Sequence, residues 1–249
     1  MDGTALPVAF EAPFVVRFDE AGADGALRAS GYLRFAQHVA WMHSTAAGFD
    51  RAWYGERGLT WLVRALELER GEAVPYGSEI VVTTEVTAFR RSWARRRSRF
   101  LLGAERREIA RATIDWLLLG SGGRPVRIPA EIDGAFGRLL DERPALRVDL
   151  PEPPAGSTRV AFPVREHELD PMKHVNNAVY LDYLEEGVAA AGGAADLAVL
   201  PRAYSLEYAF AAEPGALLEA TVYRDGPAWC YRLATAGRES LRGRMTPGS

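Results

Sequence analysis

The residues that could do chemistry are concentrated in one short segment, ELDPMKHVNNAVYLDYLEEG, which carries a carboxylate (Asp170), an imidazole (His174), two adjacent amides (Asn176 and Asn177) and a second carboxylate (Glu186). Hydrolysis at a carbonyl carbon needs a polarised oxygen, an oriented water and a group that accepts or relays its proton. The segment offers candidates for all three. Pro171 sets a turn just after a strand, so HVNN is expected to enter a helix at its N-terminal end. Free backbone N–H groups there, at about residues 176 to 179, could receive an oxygen as negative charge develops on it. One such donor is worth about 3 kcal/mol in a transition state. Asp170 is the preferred base or water-orienting group, with His174 polarising or relaying the proton. Glu186 lies nine residues beyond Asn177, about 13 Å of helix rise, so it would act on a water approached from the other side of a tunnel. Structural roles stay open for the same residues: Asp170 as a cap, His174 as a satisfied structural histidine, the asparagines as N-caps.

Elsewhere the sequence is less rich in chemistry. Cys230 lies between aromatic residues in AWCYRL with no local His or acid, which reads as a packed strand residue and not a nucleophile. The four histidines are dispersed, so neither a metal nor a cofactor is implied. FRRSWARRRSRF, residues 89 to 100, alternates as a strand with Trp93, Arg95, Arg97 and Arg99 on one face and Ala94 and Arg96 on the other. It reads either as a solvated outer surface or as a docking surface for an acidic protein or for phosphates, in which Arg95 and Arg97 would bind the ligand. With a net charge of only -3 the chain as a whole is not a nucleic-acid binder. Tyr180, Tyr183 and Trp61 are candidate walls of a substrate tunnel, and core packing explains them equally well.

The positioning elements follow from periodicity. Leu33, Gln37, Ala40, Trp41 and Ser44 fall at helical spacings, and Gly31 and Gly48 punctuate a helix of roughly 14 to 16 residues. Segments 59–68, 78–89, 93–102 and 109–119 read as strands of one antiparallel sheet. The order then recurs: FVVRFDE at 14 matches FPVREHE at 162, and GYLRFAQH at 31 matches VYLDYLEE at 179, both offset by 148 residues. Between the copies a segment with six prolines and a short helix near 130–140 reads as a crossing linker. The expectation is an α+β chain of two units, residues 8–143 with the linker and 144–246, each a long helix wrapped by an antiparallel sheet and the two sheets paired edge to edge. Such a pair is self-sufficient as a monomer, and a homodimer is equally compatible. The absence of a long apolar run or a basic leader implies no membrane insertion and a cytoplasmic location.

These residues resemble the acyl-acyl carrier protein thioesterases of plants and bacteria over nearly the whole chain. The first half is similar through GADGALRASGYLRFAQHVAWMHSTAAGF, LTWLVRALELERGEAVPYGSEIVVTTEV and RATIDWLLLGSGGRPVRIPAEI, and the second through DPMKHVNN followed by an aromatic helix and a Glu. The resemblance implies a tandem hotdog fold and hydrolysis of the thioester joining a fatty acyl group to the phosphopantetheine arm of acyl carrier protein. Asp170, His174, Asn176, Asn177 and Glu186 match the family signature. Met172 stands where the family usually has Asn, and Ala211 and Ala212 stand where plant members carry an acidic residue and a Cys. A coenzyme A thioester as substrate, or a noncatalytic acyl-thioester-binding role, are the alternatives.

Overall fold

The computed structural model describes residues 9–136 and 145–248. The first half runs β1 (Ala9–Val15), α1 (Ala29–Ala46), α2 (Arg51–Glu56), β2 (Thr60–Arg70), β3 (Glu79–Arg90), β4 (Trp93–Leu102), β5 (Arg107–Leu119) and α3 (Ala130–Phe136). The second runs β6 (Thr158–Pro163), α4 (Val179–Val188), α5 (Ala194–Leu197), β7 (Arg202–Tyr208), β8 (Leu217–Asp225), β9 (Ala228–Thr235) and β10 (Arg238–Pro247). The expected unit boundary at 143 and 144, and the C-terminal part of the helix expected near 130–140, lie outside the described residues.

All ten strands join one antiparallel sheet in the order β1-β3-β4-β5-β2-β7-β10-β9-β8-β6. The seam between the halves is the ladder from Ala65 opposite Glu207 to Arg70 opposite Arg202, so the two sheets do pair edge to edge. This protects two strand edges that would otherwise be open to a foreign chain. The result is a tandem hotdog: α1 and α4 are wrapped by the sheet, and they touch each other through the Arg34–Asp182 ion pair at 3.5 Å. Arg34 and Asp182 are themselves 148 residues apart, the spacing of the sequence repeat.

Helix α1 is longer than its glycines implied. Gly31 falls in its first turn, where a Cβ would meet the Leu27 side chain at 2.4 Å, so this glycine permits a close approach and does not stop the helix. Its buried stripe is Tyr32, Leu33, Phe35, Ala36, Val39, Ala40 and His43, and burying each large apolar member contributes about 1.5–3 kcal/mol. Of the spacing read from sequence only Leu33 belongs to the core proper; Gln37, Ala40, Trp41 and Ser44 border a cavity. Helix α2 was not anticipated, although its start is signalled by Asp50, whose side chain accepts the Trp53 N–H at 2.9 Å.

The repeat is repeated in three dimensions as well. Short 3-10 turns at Phe18–Glu20 and Glu166–Glu168 carry the same closure, in which the Arg17 and Arg165 N–H groups donate to Glu20 and Glu168. Bridges Ala21 to Leu27 and Leu169 to Val175 then pinch off equivalent loops. Gly25 at φ 74° and Lys173 at φ 63° occupy the same left-handed corner of those loops, a conformation that suits glycine and strains lysine.

On the outer face of the sheet the segment after residue 144 runs as a strap from the first half to the second. Its Leu146 N–H donates to Asp115 Oδ2 at 2.7 Å, its Val148 N–H to Glu207 Oε2 at 3.1 Å, and its Leu150 carbonyl accepts from Arg232. Under the strap Arg95 and Asp115 form a two-point ion pair at 2.7 and 2.9 Å, with side chains 4% and 0% exposed. That corrects the reading of Arg95 as a ligand-binding surface residue, because its guanidinium is committed to Asp115 beneath the strap. Its neighbours on that face, Arg97 and Arg99, pair with Glu85 and Glu108. The face is a lattice of surface ion pairs, and Arg97 is part of it. Asp115→Asn leaves a buried guanidinium without its anion and is expected to lower stability by about 3 kcal/mol, measured by urea unfolding; a loss under about 1 kcal/mol would show that the pair is not what anchors the strap.

Candidate active site

A cavity of about 770 Å³ opens beside the first turn of α4 and extends into the first half. The 170–177 loop with exposed Met172 and the 209–211 segment with exposed Phe210 form its mouth on the second half, and α1, α2, β2, β3, β4, β5 and α3 line it from the first. Of the residues singled out from sequence, Asp170, His174, Asn176, Asn177, Tyr180 and Trp61 border it. Glu186, Tyr183, Arg95 and Arg97 do not. Glu186 is solvent-exposed on α4, nine residues or about two and a half turns past Asn177, which puts it on the opposite side of the helix axis from Asn177. Tyr183 stacks on Phe162 at 5.0 Å and donates to Glu168 at 2.7 Å, inside the second half.

The loop is organised by its own polar groups. Asp170 Oδ1 accepts the Met172 N–H at 2.8 Å and, more weakly, the His174 N–H at 3.4 Å. Its backbone closes the loop through Asp170 N–H to the His174 carbonyl and Lys173 N–H to the Asp170 carbonyl. Asp170 Oδ2 and the His174 imidazole have no hydrogen-bond partner among the described residues, and both residues face the cavity.

The helix start is more selective than its sequence implied. Asn176 N–H donates to the Glu168 carbonyl, Ala178 N–H to Asn176 Oδ1 at 2.9 Å, and Val179 N–H to the Asn176 carbonyl. Asn176 is thus an internal cap that consumes amides expected to be open. Among the described residues the Asn177 N–H finds no acceptor, and Asn177 borders the cavity.

Tyr208, missed in the sequence, and Tyr180, expected there as a tunnel wall, fix this turn. Tyr208, from β7, donates its hydroxyl to the Asn177 carbonyl at 2.8 Å, and the Tyr180 hydroxyl accepts the Ala212 N–H at 3.0 Å. Their rings meet edge to face at 5.4 Å. The Ala212 carbonyl in turn accepts the Val175 N–H, so the segment with Ala211 and Ala212 braces the loop by backbone and presents no acid or thiol. Met172 is exposed at the mouth, its sulfur 3.7 Å from Thr60 Oγ1, and has no acid–base function to offer. The only sequence signal for Tyr208 was an aromatic in a strand, which most often means core.

Residues 7–135 match the acyl-ACP thioesterase N-terminal domain, and residues 152–215 match the acyl-ACP thioesterase C-terminal domain. The chain belongs to the acyl-ACP thioesterase family. Among its relatives is a chloroplastic acyl-[acyl-carrier-protein] hydrolase of Cuphea viscosissima, 26% identical over a 197-residue alignment that covers 71% of this chain and 46% of the relative. The chain therefore spans about half the length of the curated relatives it matches. The fold is shared with a 12:0-ACP thioesterase from Umbellularia californica (TM-score 0.79, 19% identity, 96% of this chain and 97% of that one). It is shared also with an acyl-ACP thioesterase from Bacteroides thetaiotaomicron (TM-score 0.78, 15% identity, 96% and 97%). Within this acyl-ACP thioesterase fold, no cluster of His, Cys, Asp or Glu suited to a metal occurs among the described residues, and no helix among them is long and apolar enough to cross a membrane.

Buried tyrosines, two of them at the site, make stability sensitive to alkali. Burial pushes Tyr180 up to about 12, with the Ala212 N–H opposing and the Asp170 charge adding to it. Tyr32 is likewise raised to about 12 by burial, and burial holds Tyr208 well above 10. A phenol whose folded pKa exceeds its unfolded value of about 10 stabilises the fold below that value and loses the contribution as pH rises toward the folded pKa. Stability from urea midpoints is expected to be flat from about pH 8 to 9.5 and to fall steadily from about pH 10, with Tyr180→Phe reducing the slope; an unchanged midpoint at pH 11 would contradict it.

Proposed function

We propose that this chain hydrolyses the thioester between an acyl group and the phosphopantetheine arm of acyl carrier protein. The observation that carries this reading is the junction at Asn177. There an open helix-start amide, a carboxylate and an imidazole meet the mouth of a cavity with an aromatic body. The acyl chain lies in the cavity and the arm leaves past Met172. The thioester oxygen takes the Asn177 N–H, which steadies it as the carbonyl becomes tetrahedral. Asp170, anchored through Oδ1, uses Oδ2 to orient the attacking water. His174 takes the proton and returns it to the departing thiolate as the C–S bond breaks, giving free acid and thiol. Tyr208 and the Asn176 cap hold the turn still, so the donor is in place before charge develops.

The carrier protein, as against coenzyme A, is supported by the family to which both domain matches belong. Asp170→Ala is expected to reduce kcat by at least about 100-fold while far-UV circular dichroism stays unchanged. Activity near the parent level in the folded variant would remove Asp170 from the mechanism. For one acyl group presented on each carrier, kcat/KM is expected to be higher on acyl carrier protein; equal values would sink the carrier preference. Retained binding with no cleavage across acyl lengths would sink the hydrolase reading itself.

A further inference from the structure

The cavity holds a charge that the hydrolytic reading does not use. Arg96, on β4, borders the cavity together with Ser44, Tyr54, Trp61, Phe89 and Phe136. It faces inward, opposite to Arg95, Arg97 and Arg99, each of which has a carboxylate partner. Protein surrounds Arg96, yet it keeps some accessible surface, as a side chain opening onto an internal space does. Among the described residues no carboxylate reaches it. Its Nη1 donates to His43 Nδ1 at 3.1 Å, and its guanidinium lies 5.2 Å from the centre of the Phe136 ring. Burial draws its pKa down to about 10, with Tyr54 opposing, so it remains a cation at neutral pH.

Among the described residues the neighbouring polar groups do not balance that charge. Ser44 Oγ donates to the Phe49 carbonyl at 3.1 Å, which leaves the Tyr54 hydroxyl to donate to Ser44, and Trp61 Nε1 donates to Tyr54 at 3.0 Å. That hydrogen-bond chain is closed. Of the five guanidinium N–H groups one is taken by His43. An alkyl tail packed here would face the others with methylenes, leaving desolvated donors and an uncompensated charge.

The α1 residues that border the cavity run from Arg34, which pairs with Asp182 of α4, to Ser44, ten residues or about 15 Å of helix, and the Arg96 bond to His43 places it at the Ser44 end.

We propose that the acyl group taken by this cavity ends in a carboxylate that pairs with Arg96, so that the substrate class is an ω-carboxyacyl thioester. This rests on the thioesterase reading and specifies its substrate. A carboxylate matches the fork of the guanidinium, neutralises the charge and leaves the apolar walls to the methylene chain.

The test compares thioesters of equal chain length ending in a carboxylate or in a methyl group. For the native protein kcat/KM is expected to favour the carboxylate end by at least about tenfold. Arg96→Met is expected to lose that preference and to keep or improve turnover of the methyl-ended series. Equal or better turnover of methyl-ended chains at every length by the native protein would overturn the proposal, as would an Arg96→Met variant that loses both series alike. The native comparison stands even where the variant does not fold. Non-hydrolysable thioether analogues with the two tails, titrated against tryptophan fluorescence, separate this from the hydrolase reading. A tenfold tighter fit of the carboxylate tail without any cleavage retains the Arg96 assignment and rejects the hydrolysis. Cleavage without tail preference does the reverse.

Discussion

The β2–β7 ladder is the constraint on which the site depends. The cavity has its mouth on the second half and its body in the first, and neither half alone encloses it. Backbone pairing from Ala65 opposite Glu207 to Arg70 opposite Arg202 fixes the register between them, and a slip by one residue would turn every side chain of one strand to the other face. The same strand β7 ends in Tyr208, whose hydroxyl reaches the Asn177 carbonyl. Sheet register and helix start are therefore tied to one strand, which adds to the bonds the 170–177 loop makes within itself.

Around that seam the polar groups divide into two kinds. Those on the outer face are paired and structural: Arg95 with Asp115, and Glu207 with Arg64, Arg147 and the Val148 N–H. Burial alone would raise the Glu207 carboxyl, but the Val148 N–H and the two arginines more than offset it and hold it below its usual range. Those on the inner face, Asp170, His174 and Arg96, keep donors or acceptors turned to the cavity. Fully satisfied polar groups rigidify, and incompletely satisfied ones are where a ligand can bind.

Much of the architecture was legible because its signals are local. β-Forming composition between Gly and Pro turns located β2 to β5 to within about two residues, and the 148-residue recurrence aligned the segments that carry the turns Phe18–Glu20 and Glu166–Glu168. The Asp170 to Asn177 loop was legible for the same reason, since a Pro turn leading into a helix is written in consecutive residues. What was not legible depends on partners distant in sequence. Alternation separated Arg95 from Arg96 by face but could not reveal that the strap from residue 145 onward covers one of them. Nor could it show that the other opens onto a cavity. Glu186 shares a helix with the site yet points elsewhere, and Tyr208 reaches the turn from a strand 31 residues later.

The two pinched loops are built alike, yet Gly22 stands in the first where Asp170 stands in the second, and Ala26 where His174 stands. A symmetric pair of identical subunits cannot make that distinction, because every change appears twice. Once both copies share one chain each can differ alone: here the first loop carries no carboxylate or imidazole at these two positions and its half lines most of the cavity, while the second loop brings both groups to the same space.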